Sequence, residues 1–465
     1  MTEVIVAGGG LAGLVAARRL ADAGADVRLY ERHRDLGGRV RSLRRDGYVL
    51  DRGFQVLFTA YPAARRELDF AALDLRQFKP GAMVARPGRR STLSDPFRDL
   101  DAALETVLNR DVTLRDKLEV WRLRRELADK SIQDIVRGED ATTRESLRDR
   151  GFSEQFLTNF AEPFYGGITL DRSLNTSRKA FEFAFKMLTV GEIAVPARGM
   201  GAIAEQLADR ARESGADLRT AETVTDLSAT VETSRNPASD GGSSRGGDGG
   251  GNEIVGVDGG AEVTVEIGRE TTTADAVVVA TDPKQARELT TVKSIPTEAN
   301  GCVTQYLAFD GPPLDAGKRL LLNAGESGGA TEATESGQVT EPAPNHVAQL
   351  SAVAPEYAPD DRNLLSATYL GVPDAPDEDL VARTARTLDS WYPERHIDLD
   401  HRHTSRIEFA QFAQPPGIHD RLPDVRAPDG PVYLAGEYTE ASSLNAAMES
   451  GRAAAKAVAE DLGLA

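Results

Sequence analysis

The stretch "VIVAGGGLAGLVAARRL", Val4 to Leu20, decides the fold. Val4, Ile5, Val6 and Ala7 form a short continuous apolar run, the pattern of a strand buried on both faces of a parallel sheet. Leu11, Leu14, Val15 and Leu20 then fall at helical spacing. Between strand and helix stand Gly8, Gly9, Gly10 and Gly13. In that arrangement Gly8 permits the tight turn, Gly10 lets an outside group approach the backbone, and Gly13 lets helix and strand pack closely. The helix start, at Leu11 and Ala12, offers unpaired N–H groups and a partial positive charge to whatever lies at the turn. That geometry suits a pyrophosphate.

A Gly-x-Gly-x-x-Gly string by itself is also what a tight turn in a Gly-rich chain looks like. The context narrows the choice. A second strand, Asp26 to Tyr30, ends in Glu31, at the distance where a carboxylate accepts hydrogen bonds from a ribose diol and discourages a 2′-phosphate. The ligand is therefore read as an adenine dinucleotide, NAD or FAD. "ERHRDLGGR", Glu31 to Arg39, then adds a second close backbone approach at Gly38, beside Arg32, and a guanidinium at Arg39 suited to a phosphate. An NAD-only domain has no obvious need for that clamp.

With this double-glycine arginine stretch the chain resembles the FAD-binding flavin oxidoreductases that include amine oxidases, protoporphyrinogen oxidase and carotene (phytoene) desaturases. Two further strings carry the resemblance. "DRGFQVLFTAYP" places Gly53, Phe54 and Gln55 in a turn near the cofactor, as in plant-type carotene desaturases. "GPVYLAGEYTEASSLNAAMESGR" is similar to the superfamily's last FAD-binding element, with a shorter spacer than in the plant enzymes. The resemblance implies that Gly436 and Glu437 meet the ribityl or phosphate region. It also implies that the helix start at Leu444 and Asn445 aims its N–H groups at the flavin, that the backbone of Val224 holds the adenine, and that Thr281 ends a strand beside the cofactor. FAD is expected to be bound non-covalently, since nothing about Cys302 suggests a cysteinyl link.

The implied fold class is α/β (α+β). It has a Rossmann-like FAD-binding domain with a parallel sheet and β-meander, assembled from 1–60, 196–285 and 405–465. A discontinuous substrate domain of helices and a mixed sheet uses 61–195 and 286–404. Two Gly/Ser-rich stretches, 233–252 and 325–345, read as flexible loops because they cannot bury enough apolar area to order themselves. "FAEPFYGG", Phe160 to Gly167, reads as a loop. "RKAFEFAFKMLTV" reads as an apolar helix, either domain core or the wall of a lipophilic site.

Composition limits the partners. The 465 residues carry a net charge of −18, which argues against nucleic acid as a partner through general electrostatics. Arginine in place of lysine and abundant Asp and Glu look like adaptation to high salt. A single cysteine excludes an intrachain disulfide and fits a reducing, cytoplasmic setting. No apolar run approaches the roughly 20 residues of a spanning helix, and no signal peptide is expected ahead of the first strand, so membrane contact would be peripheral. No metal site is indicated: His401 and His403 have no ligand partners in the sequence and read as residues of a surface strand.

The activity expected is an FAD-dependent oxidoreductase that takes hydride from a lipophilic small molecule, as carotene desaturases and dehydrogenases do. An amine oxidase passing electrons to oxygen is the alternative, with Lys284 and Lys293 the lysines in reach of the expected segment. A protoporphyrinogen oxidase-like enzyme, a redox-neutral isomerase or a structural flavin binder are further alternatives. No catalytic acid or base stands out, and the oligomeric state is left open.

Overall fold

The computed structural model describes residues 2–94, 111–230, 262–325 and 341–464. The loop read at 233–252 and residues 326–340 of the loop read at 325–345 lie outside the described residues.

Five parallel strands form the sheet that the opening stretch begins. Their order is Asp217–Thr220, Asp26–Glu31, Glu3–Ala7, Ala276–Val279 and Val432–Leu434. Val4 to Ala7 lie at its centre and are fully buried, which is why this strand reads as apolar without alternation. One face is covered by the first helix, Leu11–Asp22, which crosses the last helix, Leu444–Leu462, closely. Gly451 makes that crossing feasible, since a side chain there would run into the Ala12 carbonyl. The other face packs on an antiparallel meander of Val224–Thr230, Glu262–Ile267 and Glu270–Ala274.

A second, wide sheet has seven strands in the order Asp400–Phe412, Ala299–Phe309, Asn363–Leu370, His346–Gln349, Leu320–Asn323, Ala82–Arg86 and Arg89–Leu93. All its pairings are antiparallel except Leu320–Asn323 with Ala82–Arg86. Helices between residues 114 and 190 bury their apolar faces together with Ala82 and Leu322. The chain leaves the first unit through Leu57–Phe58 and returns through Ile193–Pro196. Ile193–Pro196 is the central strand of the three, pairing antiparallel with Leu57–Phe58 on one side and with Leu75–Gln77 on the other, so both crossings are tied at one place.

Several elements differ from the sequence expectations. The helix Pro62–Glu67 packs on the last helix, and buried Glu67 accepts from Arg18 (3.3 Å) and Arg19 (2.6 Å) of the first helix. The segment just after residue 60 thus packs back against the first and last helices before the chain goes on to the wide sheet. Residue 405 falls inside the strand Asp400–Phe412, which pairs with Ala299–Phe309. Phe160 to Gly167 is helical, not a loop: a π-turn at Leu157–Ala161 runs into the helix Glu162–Thr169. Pro163 comes directly after the π-turn, inside a helical run that is continuous from Glu154, and π-turns are one of the irregularities that let a helix carry a proline. Gly166 and Gly167 serve close packing, because side chains there would press on Arg172 and Asn345.

Candidate active site

One cavity of about 910 Å³ runs from the parallel sheet to the inner face of the wide sheet. Its lining gathers Gly8, Gly10, Leu11, Ala12, Glu31, Arg32, Gly38, Arg39, Gly53, Phe54, Gln55, Val224, Thr281, Gly436, Glu437 and Leu444. Strands far apart in sequence end side by side here because the parallel sheet delivers all its carboxyl ends to one edge.

At the nucleotide end, Gly8 holds φ of +110°, and a side chain on it would come within 2.6 Å of the Ala280 carbonyl. Gly13 does not line the cavity; any side chain there would collide with the Gly8 carbonyl, which is the helix–strand packing role. A Cβ on Gly10 would meet nothing within 4 Å, so this is backbone exposed to an incoming group. Gly38 (φ +59°) approaches from the facing loop, its Cβ position 3.5 Å from the Gly10 Cα. No side chain caps the first helix and no acidic residue stands in its first turn, so its leading N–H groups remain for a ligand. Glu31 is buried and accepts from the Gly9 N–H (2.8 Å) and the His33 N–H (2.9 Å). Both bonds hold the carboxylate at the cavity wall.

Sequence reading missed the charge that gathers next to this cradle. Arg52 lines the cavity, and its pKa is lowered first by burial and then by the guanidiniums of Arg41, Arg32 and Arg39. His33 is lowered by burial and by Arg41. Four arginines converging inside so acidic a chain fit a polyanion such as a diphosphate. The clue was within "DRGFQ", but nothing local says that Arg52 turns toward Arg39. Arg39 itself pairs with Glu437 (2.6 Å) and the Ala410 carbonyl (2.9 Å), and Ser442 donates to the other Glu437 oxygen (3.1 Å). The residues expected to clamp phosphate and ribityl groups are therefore clamped to one another.

The Arg52–Gln55 turn is pinned from behind. Asp51 is buried and accepts from Ser42 Oγ (2.5 Å), the Met200 N–H (2.9 Å) and Tyr357 OH (3.1 Å). Burial nevertheless pushes its carboxyl up to about 6, against the pull of those hydrogen bonds. Tyr306 OH donates to the Gly53 carbonyl (3.2 Å). Gln55 Nε2 donates to the carbonyls of Arg39 (3.0 Å) and Arg52 (3.2 Å), leaving its buried Oε1 with no partner. An unsatisfied buried acceptor is costly, and a flavin N–H or ribityl hydroxyl would satisfy it. The glycine cradle, the arginine cluster and this orphaned oxygen all fit FAD.

Asn445 does not line the cavity: its Oδ1 accepts from the Ala63 N–H (2.9 Å) and so caps the Pro62–Glu67 helix. The last helix meets the cavity through Ser443 and Leu444. Ser443 is its N-cap, accepting from the Ala446 N–H (3.0 Å). Lys293 is exposed and away from the cavity; Lys284 lines it, also exposed, on the side of Arg32 and Gln285.

The opposite end is an inner chamber contributed by Phe58, Tyr61, Phe78, Phe164, Ile168, Leu170, Ile193 and Leu320, with Cys302, His346 and Thr368 on the wide sheet. The helix Arg178–Val190 contributes nothing to it; Phe181 and Phe185 pack against Tyr165 in the core. Its reading as domain core holds, and the wall comes from the Glu162–Thr169 helix instead. Burial pushes the Cys302 thiol up to about 11, so it is not a ready nucleophile.

Comparison with known proteins agrees with this geometry. The family model described as flavin containing amine oxidoreductase matches residues 11–459. The 15-cis-phytoene desaturase of Synechococcus elongatus is 23% identical over 98% of this chain and 95% of its own length. The carotenoid 3,4-desaturase of Haloarcula japonica is 35% identical over 112 residues, so the match covers 21% of this chain and only 23% of that protein. Putrescine oxidase in complex with putrescine shares the fold, with a TM-score of 0.65 at 15% identity over 99% of each chain. The chain belongs to the flavin-containing amine oxidoreductases and is an FAD-dependent oxidoreductase.

Proposed function

We propose that this protein oxidises a neutral, lipophilic small molecule by removing hydride from a carbon–carbon unit, as a carotene desaturase or dehydrogenase does. One observation carries the reading. The cavity has a cluster of apolar lining residues, Phe58, Tyr61, Phe78, Phe164, Ile168, Leu170, Ile193 and Leu320, and its carboxylates, Glu31, Asp282, Glu288, Glu408 and Glu437, come from other elements. A buried ammonium substrate calls for an opposite charge or a route to lose its proton, whereas a polyene needs shape and exclusion of water. The lysines on the cavity, Lys79 and Lys284, are both exposed.

Bound FAD supplies the hydride acceptor. In this reading Glu31 accepts from the adenosine ribose, with Val224 and Thr281 on the adenine side. The first helix with Gly8, Gly10 and Gly38 receives the diphosphate, whose charge Arg39 and Arg52 balance. Gly53, Gln55, Gly436, Glu437 and Leu444 border the ribityl and ring portions. The raised Cys302 thiol favours non-covalent binding.

The test is anaerobic mixing of oxidised holoenzyme with carotene precursors, porphyrinogens and primary or polyamines, following the flavin absorbance. Bleaching by a polyene is the expected result. Bleaching by amines alone would replace this reading with the amine oxidase one.

A further inference from the structure

One residue lining the chamber, His346, carries a buried polar atom with no hydrogen-bond partner. His346 lies on the strand His346–Gln349, 4% exposed, with its ring edge-on to Phe54 at 5.0 Å between centroids. Its cross-strand neighbour Thr368 also lines the chamber. Nδ1 sits 3.1 Å from Asn345 Nδ2, while Nε2 is buried without a partner.

The neighbours determine where the ring proton sits. Arg172 Nη1, which only donates, meets Asn345 Oδ1 at 3.2 Å. Asn345 Nδ2 donates to the Pro163 carbonyl at 2.9 Å, and a carbonyl only accepts. The Asn345 amide therefore has one orientation, and its second N–H points to His346 Nδ1. Nδ1 must accept, so the neutral ring carries its hydrogen on Nε2. Burial drives the pKa of His346 down to about 4, so the ring is neutral near pH 7. The result is a fixed N–H donor with no acceptor, on a residue that lines the chamber beside Thr368.

We propose that the chamber takes an elongated apolar molecule bearing an oxygen acceptor (a carbonyl, ether or hydroxyl oxygen), and that His346 Nε2–H donates to that oxygen and sets the substrate's position along the cavity. This rests on the lipophilic reading above and narrows it from hydrocarbons in general to oxygenated ones. Asn345 and Arg172 act as positioning residues, holding the tautomer rather than touching the ligand. A donor left unpaired disfavours a pure hydrocarbon, because a buried N–H without a partner is costly.

The experiment uses holoenzyme and a matched set of C20 isoprenoids: the aldehyde, the alcohol and the hydrocarbon of the same skeleton. Dissociation constants are read from the perturbation of the oxidised flavin spectrum, without turnover. The aldehyde and alcohol should bind about tenfold more tightly than the hydrocarbon, the value of one well-placed hydrogen bond. His346→Phe should erase the difference, and His346→Gln, which keeps an N–H donor, should restore part of it. A long-range ¹H–¹⁵N spectrum of the wild type should show His346 as the Nε2–H tautomer, with its signal moved by the aldehyde and not by the hydrocarbon. Equal binding of all three, a difference surviving in His346→Phe, or an Nδ1–H tautomer would each overturn the proposal. If the hydrocarbon binds as well as the aldehyde, only the His346 assignment falls. If no member of the set binds, the lipophilic reading falls with it.

Discussion

The two ends of the cavity are built on opposite principles. The nucleotide end is backbone and charge: glycines that admit a ligand, an uncapped helix start, Glu31, and Arg52 among three other arginines. The chamber end is rings and aliphatic side chains with the Cys302 thiol, the Thr368 hydroxyl and the neutral ring of His346, whose Nε2 has no hydrogen-bond partner. On the proposed function, charge receives the part of the complex that is always the same, the cofactor, and shape with one hydrogen bond receives the part that is chosen, the substrate. Changes at one end should therefore leave the other measurably intact.

The largest effect is expected at the cradle. Gly13→Leu drives a side chain into the Gly8 carbonyl, which neither backbone can yield without opening the strand–helix unit. Little or no flavin-loaded protein should be recovered, as judged by the ratio of flavin to protein absorbance. Normal loading would show that the helix start does not depend on close contact with the strand.

The pH dependence of stability separates the two ends next. Asp51, behind the cradle, has its carboxyl raised from 3.8 to about 6, so between those values the folded chain keeps a proton the unfolded chain has lost. Its contribution to stability falls as pH rises through that window. His346 works the other way. Its ring is lowered from 6.5 to about 4, so the unfolded chain binds the proton first and its contribution rises with pH. Each slope is about 1.4 kcal/mol per pH unit, roughly 3 kcal/mol in all, and they oppose each other between about pH 4 and 6. Denaturation across that range should show Asp51→Asn gaining stability with rising pH relative to wild type, and His346→Phe losing it. Parallel curves for both variants would place the two protons elsewhere.

Glu31→Ala removes charge-assisted ribose bonds worth about 1.5–3 kcal/mol, so FAD affinity should fall tenfold or more by titration of the apoprotein. Binding of a hydrophobic ligand by the remaining holoenzyme should not change. Arg52→Leu should weaken FAD similarly, and the loss should shrink at high salt because the interaction is electrostatic. The smallest effect belongs to Lys293→Met. This side chain is exposed and off the cavity, so oxygen reactivity and stability should stay within about 0.5 kcal/mol of wild type. A loss of oxygen reactivity would return the amine oxidase reading to contention.

Much of the nucleotide end was legible in the sequence because its signals are local. An apolar strand, a glycine turn and a helical repeat occupy one stretch, and Glu31 follows at a spacing set by one βαβ step. The carboxyl-terminal string puts Gly436, Glu437 and Leu444 on the cavity, but no local signal says where the Asn445 side chain turns. A side chain at a helix start has many partners within reach, and here the Ala63 N–H, far away in sequence, takes it. "FAEPFYGG" misled for a related reason: proline and paired glycines signal a turn locally, yet Pro163 follows a π-turn within a continuous helical run and the glycines answer to Arg172 and Asn345.

By itself the sequence determined the parallel-sheet architecture, the dinucleotide edge and the class of cofactor, since each follows from periodicity and from backbone freedom at named glycines. Only the tertiary structure decided that Arg52 joins Arg32, Arg39 and Arg41, that Arg39 meets Glu437, and that Arg178–Val190 is core while Glu162–Thr169 forms the wall. It alone placed His346 in the chamber, with Asn345 and Arg172 behind it. The physical reason is distance along the chain. Asn345 and His346 are neighbours in sequence, but Arg172 and the Pro163 carbonyl, which fix the Asn345 amide, lie more than 170 residues away, and a proton's position on an imidazole depends on which donor faces it, a relation that no single stretch of sequence contains.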